Sequence, residues 1–300
     1  MLVAHGLARA ALPEHTSKFS RHDFTLPQLF ACLVVKEQQN KSYRQAEALL
    51  RDAPHWCHAI GMRRAPDHNT LQRAASVLLR RCRVAKLLDV MVRLAASARM
   101  LKLSTRPLAG DSSYFEPRHV SRYFEFRRGR GTGEKGRRRK LKQMPKLALG
   151  VASACHLVLS AWTGTGAGSD HPHFETLLYD AWRRVPNKTF KAALDAGYDC
   201  EAHHVLARRD MGIASIIPAL AGRPRLSRRT RFSGRWRQHM TRLLRSKRSR
   251  RACGYTQRWQ AETVNSMIKR NLGSALRGKT ATSRERDLRL KVLTHNLMVL

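Results

Sequence analysis

Apolar residues return every three to four positions through the first third of the chain. Leu26, Leu29, Phe30, Leu33 and Val34 trace one such stripe, with Thr25 placed to cap it and Pro27 in the first turn, where a missing N–H costs no hydrogen bond. Ser42 and Gln45 stand at capping-box spacing ahead of a second helix carrying Ala46, Leu49 and Leu50. A third begins near Asn69 and Thr70 and runs through Leu71, Ala74, Ala75, Leu78 and Leu79, and a fourth spans Val84 to Ala98. Residues 1–104 therefore read as a small all-α N-terminal domain.

After Pro107 the period shortens. Apolar runs of strand length occur at Pro107–Ala109 leading into Asp111, at Leu147–Val151, at Cys155–Trp162, at Phe190–Leu194 leading into Asp195, and at Ile213–Leu220. Non-helical stretches join the first three, as in a meander. Helix-like segments follow at Phe174–Val185 and Glu201–Arg209. This order predicts an α/β fold over residues 105–300, a mixed sheet with helices on its faces.

Charge changes the picture. The 300 residues hold 58 Lys and Arg against 21 Asp and Glu, a formal net charge of +37. Such self-repulsion offers nothing to an enzyme of small metabolites and suits a polyanion, above all double-stranded DNA. The 42% of hydrophobic residues can fill a sizeable core, which excludes wholesale disorder. No apolar run reaches the roughly 18 residues that a membrane span needs. The opening MLVAHGLARAALPEH lacks the apolar segment of a signal peptide, so a cytoplasmic, nucleoid-associated protein without a membrane partner is expected.

The six cysteines include no CxxC pair and read as reduced thiols. Cys200, His203 and His204 offer half a zinc site at most; a buried thiol beside solvated imidazoles is the favoured reading.

The basic residues cluster. Arg127, Arg128, Arg130, Lys135, Arg137, Arg138, Arg139, Lys140 and Lys142 crowd the stretch from Arg122 to Lys146. Thirteen more lie between Arg223 and Arg251, within a basic segment 221–254, and residues 211–261 contain no carboxylate side chain. Both stretches are expected to track phosphates and to be partly disordered without DNA. Arg73, Arg80 and Arg81 at the third helix fit either a helix-turn-helix that reads DNA or a plain bundle with solvated arginines.

In a chain this basic the few acids stand out. Glu262 is the first after Asp210 and sits in TQRWQAETVNSMIKRNLG, an amphipathic helix pattern. With Tyr255 at zero and about 100° per residue, Arg258, Glu262 and Lys269 fall at about 300°, 340° and 320°, opposite Val264, Met267 and Ile268. A carboxylate flanked by a phenol, a guanidinium and an ammonium suits a site that holds a metal and grips phosphate oxygens beside it. The competing reading is a surface helix with an ordinary Arg258–Glu262 pair. Asp111 and Asp195 each end a strand candidate, with Asp199 the rival to Asp195. Carboxylates from adjacent strand ends, joined by one from a helix, can bridge two hard divalent cations about 4 Å apart, the arrangement for in-line phosphoryl displacement by water or a 3′ hydroxyl.

Tyr255, Arg258, Glu262 and Lys269 have the spacing Y-x2-R-x3-E-x6-K. Together with AGDSSYFE around Asp111 and ALDAGYDC around Asp195, this resembles the insertion-sequence DDE transposases, specifically insertion-sequence family four and its relatives, over residues 105–300. The resemblance implies a ribonuclease-H-like catalytic core in which Asp111, Asp195 and Glu262 are the catalytic metal ligands, for two ions of Mg2+ or Mn2+. It implies that Tyr255, Arg258 and Lys269 hold phosphates of the transposon end. It also implies cleavage at terminal inverted repeats, joining to target DNA, and a homodimer in the DNA complex. Such transposases often carry a β-rich insertion between the second aspartate and the glutamate, whereas here that interval shows one strand candidate and an arginine-rich stretch. Three other readings stand beside this one. They are a catalytically inactive or domesticated DNA-binding protein, a ribonuclease-H-like nuclease without strand transfer, and a ribosomal or chromatin protein, which accounts for the charge but not for the aligned quartet.

Overall fold

Thr25 and Gln28 exchange hydrogen bonds, each side chain accepting from the other's backbone N–H, and this box opens α2 (Leu26–Gln38). Ser42 and Gln45 do the same for α3 (Tyr43–Asp52). Asp67 caps α5 (His68–Leu78), and α6 (Arg81–Ser97) follows. Two helices escape the sequence reading: α1 (Leu2–Ala11), whose buried stripe is only Ala4, Leu7 and Ala8, and the five-residue α4 (Pro54–His58). Arg73, Arg80 and Arg81 are exposed. The computed structural model describes residues 1–19, 22–118, 144–166, 168–186, 189–220 and 234–300.

The strand candidates form one mixed five-stranded sheet. β3 (Pro145–Ala152) and β4 (Leu157–Thr165) pair antiparallel, β3 pairs antiparallel with β1 (Leu108–Tyr114), and β5 (Lys191–Leu194) and β6 (Ala214–Ile216) add in parallel beyond β1. The order is β4-β3-β1-β5-β6. Every residue of β3 is buried, as befits an inner strand covered on both faces. Alternation sorts the side chains. Ala109, Leu147, Leu149 and Val151 pack with the N-terminal helices and the last two helices, while Leu108, Ala148 and Ala152 pack with α7 (Phe174–Arg184). The apolar cluster on the first face runs without a break from α1 and α2 into the sheet.

Two expectations are corrected here. Asp111 does not end its strand. The polar residues Asp111 to Tyr114 stay extended because they pair with Leu149 to Lys146 of β3, a support no local pattern reveals. The fifth strand is three residues long, since its partner β5 offers only four.

α8 (Glu201–Val205) runs on into a π-helical turn, Leu206–Asp210. Beyond β6, the described part of the second basic stretch is not irregular but forms α9 (Arg235–Leu243) and α10 (Lys247–Cys253), the latter capped by Ser246. Residues 119–143 and 221–233, where most of the expected phosphate-tracking arginines fall, lie outside the described residues. The chain closes with α11 (Trp259–Leu272), the two-residue strand β7 (Ala275–Leu276), paired with β2 (Glu116–Pro117), and α12 (Ala281–Val299). Among the described residues no helix is long and apolar enough to cross a membrane.

Candidate active site

Strand register brings Asp111 and Asp195 to neighbouring positions. Leu108, Ala109 and Gly110 lie opposite Ala192, Ala193 and Leu194 in the parallel β1–β5 pair, so the next residue on each chain is one of the two aspartates. Their charges converge on Tyr198, a fully buried residue whose pKa is raised first by burial and then by Asp170, Asp111 and Asp195.

The third carboxylate arrives on α11, which lies along the same face of β1. Asn265 Nδ2 donates to Asp111 Oδ2 at 3.0 Å, and Lys269 Nζ donates to Ser113 Oγ at 2.7 Å while standing 5.2 Å from the Phe115 ring centre. The periods explain the fit: four helical residues rise about 6 Å and two strand residues about 6.8 Å, so positions 265 and 269 keep step with 111 and 113. Glu262 lies one turn before Asn265. Burial raises the Asp111 pKa, and the Glu262 charge adds to that shift.

Gly254, at φ 87, ends α10 in the left-handed conformation that glycine adopts without a Cβ penalty. The turn it opens, Tyr255–Arg258, is 3-10 rather than α-helical. A helical wheel begun at Tyr255 therefore misplaces that residue, because a 3-10 turn advances about 120° per residue. The turn packs against β1 and β5. Burial raises the Tyr255 pKa, with Arg258 opposing and the Asp195 charge adding. Arg258 Nη2 pairs with Glu262 Oε1 at 2.5 Å, and the Glu262 side chain is 52% exposed. The ion pair weighed against a metal role is thus present, and it sits beside the aspartates rather than on a remote surface.

Among the described residues no three His, Cys, Asp or Glu side chains stand close enough together to hold a metal ion. The chemistry of the donors is nonetheless that of a hard-cation site: three carboxylates, one mostly buried with its pKa raised, and a buried Asn265 Oδ1 with no hydrogen-bond partner among the described residues.

Asp199, the rival second ligand, is occupied. Arg237 Nε lies 3.0 Å from both of its oxygens and Nη2 2.7 Å from Oδ2, and the backbone N–H of Leu220 donates at 2.7 Å. Its side chain is 1% exposed, which makes it the anchor of α9. The expected solvated imidazoles are corrected as well. His203 is buried against Phe174, ring centres 4.1 Å apart, with Nδ1 2.8 Å from the Tyr198 carbonyl, and His204 is buried with Nδ1 2.8 Å from Ser215 Oγ. No role for Asn265, Ser113 or Tyr198 was read from the sequence, although Ser113 and Tyr198 lie within the two aspartate segments. The only signal for Asn265 was an amide beside Val264 in an otherwise apolar stripe.

The family model described as "Transposase DDE domain" matches residues 111–297. No curated protein and no solved structure is matched by the chain.

Proposed function

The chain belongs to the transposase DDE-domain family, and from that premise we propose that it cleaves insertion-sequence ends and joins them to target DNA through Asp111, Asp195 and Glu262. The carrying observation is the register that sets Asp111 beside Asp195, with the Glu262 helix tied to Asp111 through Asn265. Three antiparallel strands followed by two parallel ones support a ribonuclease-H-like core. We assign the three carboxylates as ligands for two Mg2+ or Mn2+ ions, which when bound neutralise phosphate charge and activate water or a 3′ hydroxyl. Tyr255, Arg258 and Lys269 then hold phosphate oxygens on either side of the scissile bond. A fixed guanidinium and ammonium there place the phosphorus in line with its nucleophile. The helices within residues 1–104 and the exposed arginines of α9 and α10 supply further duplex contacts, and the acting form is a homodimer on paired ends in the cytoplasm.

The test is purified protein on DNA carrying the flanking terminal inverted repeats, with and without Mg2+. Cutting and joining require the metal. Asp111→Asn, Asp195→Asn and Glu262→Gln each abolish cutting while DNA binding persists. Full activity in Asp195→Asn with loss in a folded Asp199→Asn overturns the assignment, and cutting without joined product identifies a nuclease instead.

A further inference from the structure

Asn265 is 4% exposed and lies among Ala261, Val264 and Ile268 on the buried face of α11. A leucine would continue that stripe, so packing does not call for an amide. The amide is oriented by chemistry: an ionised carboxylate only accepts, so Nδ2 must face Asp111 Oδ2 at 3.0 Å. That leaves Asn265 Oδ1 buried without a partner among the described residues, and native chains seldom bury an acceptor unused. Anchoring α11 to β1 does not account for it, because Lys269 and Ser113 already bond the two elements at 2.7 Å.

We propose that Asn265 is the positioning residue of the metal centre: its N–H holds Asp111 in one orientation, in which the carboxylate would be ready to ligate a divalent cation, and its Oδ1 is an acceptor that a water of the loaded site would fill. This rests on the reading that Asp111, Asp195 and Glu262 bind divalent metal. Ligand carboxylates are themselves held by hydrogen bonds, and losing such a partner costs roughly 10–100-fold in metal affinity. Asn265 therefore acts through Asp111 and needs no contact with DNA.

The experiment is Mn2+ titration of the full chain, read from the electron paramagnetic resonance signal of free Mn2+, with a thermal melt of each variant without metal. Asn265→Leu keeps the branching at Cγ and the number of side-chain heavy atoms and removes the donor; its expected result is a melt close to the wild type and Mn2+ affinity reduced roughly tenfold or more. Asn265→His, whose Nδ1 can donate from a similar distance along the side chain, restores most of the affinity. If the leucine variant does not fold, Asn265→Ser gives the same comparison. A folded leucine or serine variant that binds Mn2+ like the wild type overturns the inference, and if Asp111→Asn loses Mn2+ in the same series, the metal reading stands without it. If Asp111→Asn also binds Mn2+ like the wild type, both fall together.

Discussion

Glu37 is 5% exposed near the end of α2, with Lys36 Nζ 3.1 Å from Oε2 and Lys291 Nζ 2.7 Å from Oε1. Lys291, on α12, also donates to the carbonyl of Leu272, the last residue of α11. One carboxylate thus ties the N-terminal helices to the end of the helix that carries Glu262. Burial alone would raise the Glu37 pKa, but the charges and hydrogen bonds of Lys36 and Lys291 outweigh it and hold it below the ordinary value. At an effective dielectric constant of about 20 each contact is worth about 5 kcal/mol of attraction, against a desolvation cost of several kcal/mol per ion. Removing the carboxylate forfeits the attraction and leaves two buried ammonium groups, so Glu37→Gln is predicted to cost about 3–5 kcal/mol. In a thermal melt that is a loss of roughly 10 °C for a chain of this size. Asp287 is the control. It is 8% exposed, its pKa is raised chiefly by burial, and its bond from the Gly278 N–H, at 2.8 Å, survives in Asp287→Asn, which is predicted to stay within about 1 kcal/mol of the wild type. Because the Glu37 pKa is depressed in the folded chain, its contribution is complete above the ordinary carboxylate pKa and is lost as pH falls through the folded value. The gap between wild type and Glu37→Gln therefore closes in acid. Equal losses in both variants, or a Glu37→Gln melt that matches the wild type, refutes this account.

Burial, with the Arg208 charge, lowers the His204 pKa to about 4. The unfolded chain binds that proton near pH 6.5, so stability is full above pH 6.5 and falls by about 3 kcal/mol as pH drops to 4; His204→Gln flattens this part of a melt-against-pH curve, and an unchanged curve refutes the assignment. Arg258→Ala and Lys269→Ala are predicted to leave Mn2+ affinity near normal while lowering cleavage and scattering the cut positions, as read by sequencing the ends. Arg258→Lys restores only part, because a point charge cannot reproduce a bidentate fork; either alanine variant cutting at the normal rate and place reduces the quartet to an ordinary charged face. Neutralising Arg242, Arg245, Lys247 and Arg248, all exposed on or beside α9 and α10, lowers the slope of log affinity against log salt by about one per lost phosphate contact, and an unchanged slope means that these residues are merely solvated.

What the sequence revealed follows the range of each interaction. The boxes at Thr25 and Ser42 close within three residues, and both were legible. Asp111 looked like the end of its strand because β3, which keeps Asp111 to Tyr114 extended, lies more than thirty positions away. His203 and His204 looked solvated because their cover comes from Phe174 and Ser215, on other elements of the fold. The wheel failed at Tyr255 for a local reason: it assumed one helix where Gly254 begins a separate 3-10 turn.

The candidate site divides along the same line. Glu262, Arg258 and Lys269 could be placed from spacing because one turn and one helix carry them, and their types alone mark them as chemistry. Asn265 stands on that helix too, but a lone amide beside Val264 carries no such mark, and its partner belongs to another element. It comes into view only when the two-residue steps of β1 are laid against the four-residue steps of α11, which pairs 111 with 265 and 113 with 269 at once. One such pair could be an accident of docking. Two in step fix both the offset and the direction of helix on strand, and so they fix where Glu262, one turn earlier, must lie relative to Asp111. The residues that set the geometry of this site are therefore less conspicuous than the ones that would perform its chemistry.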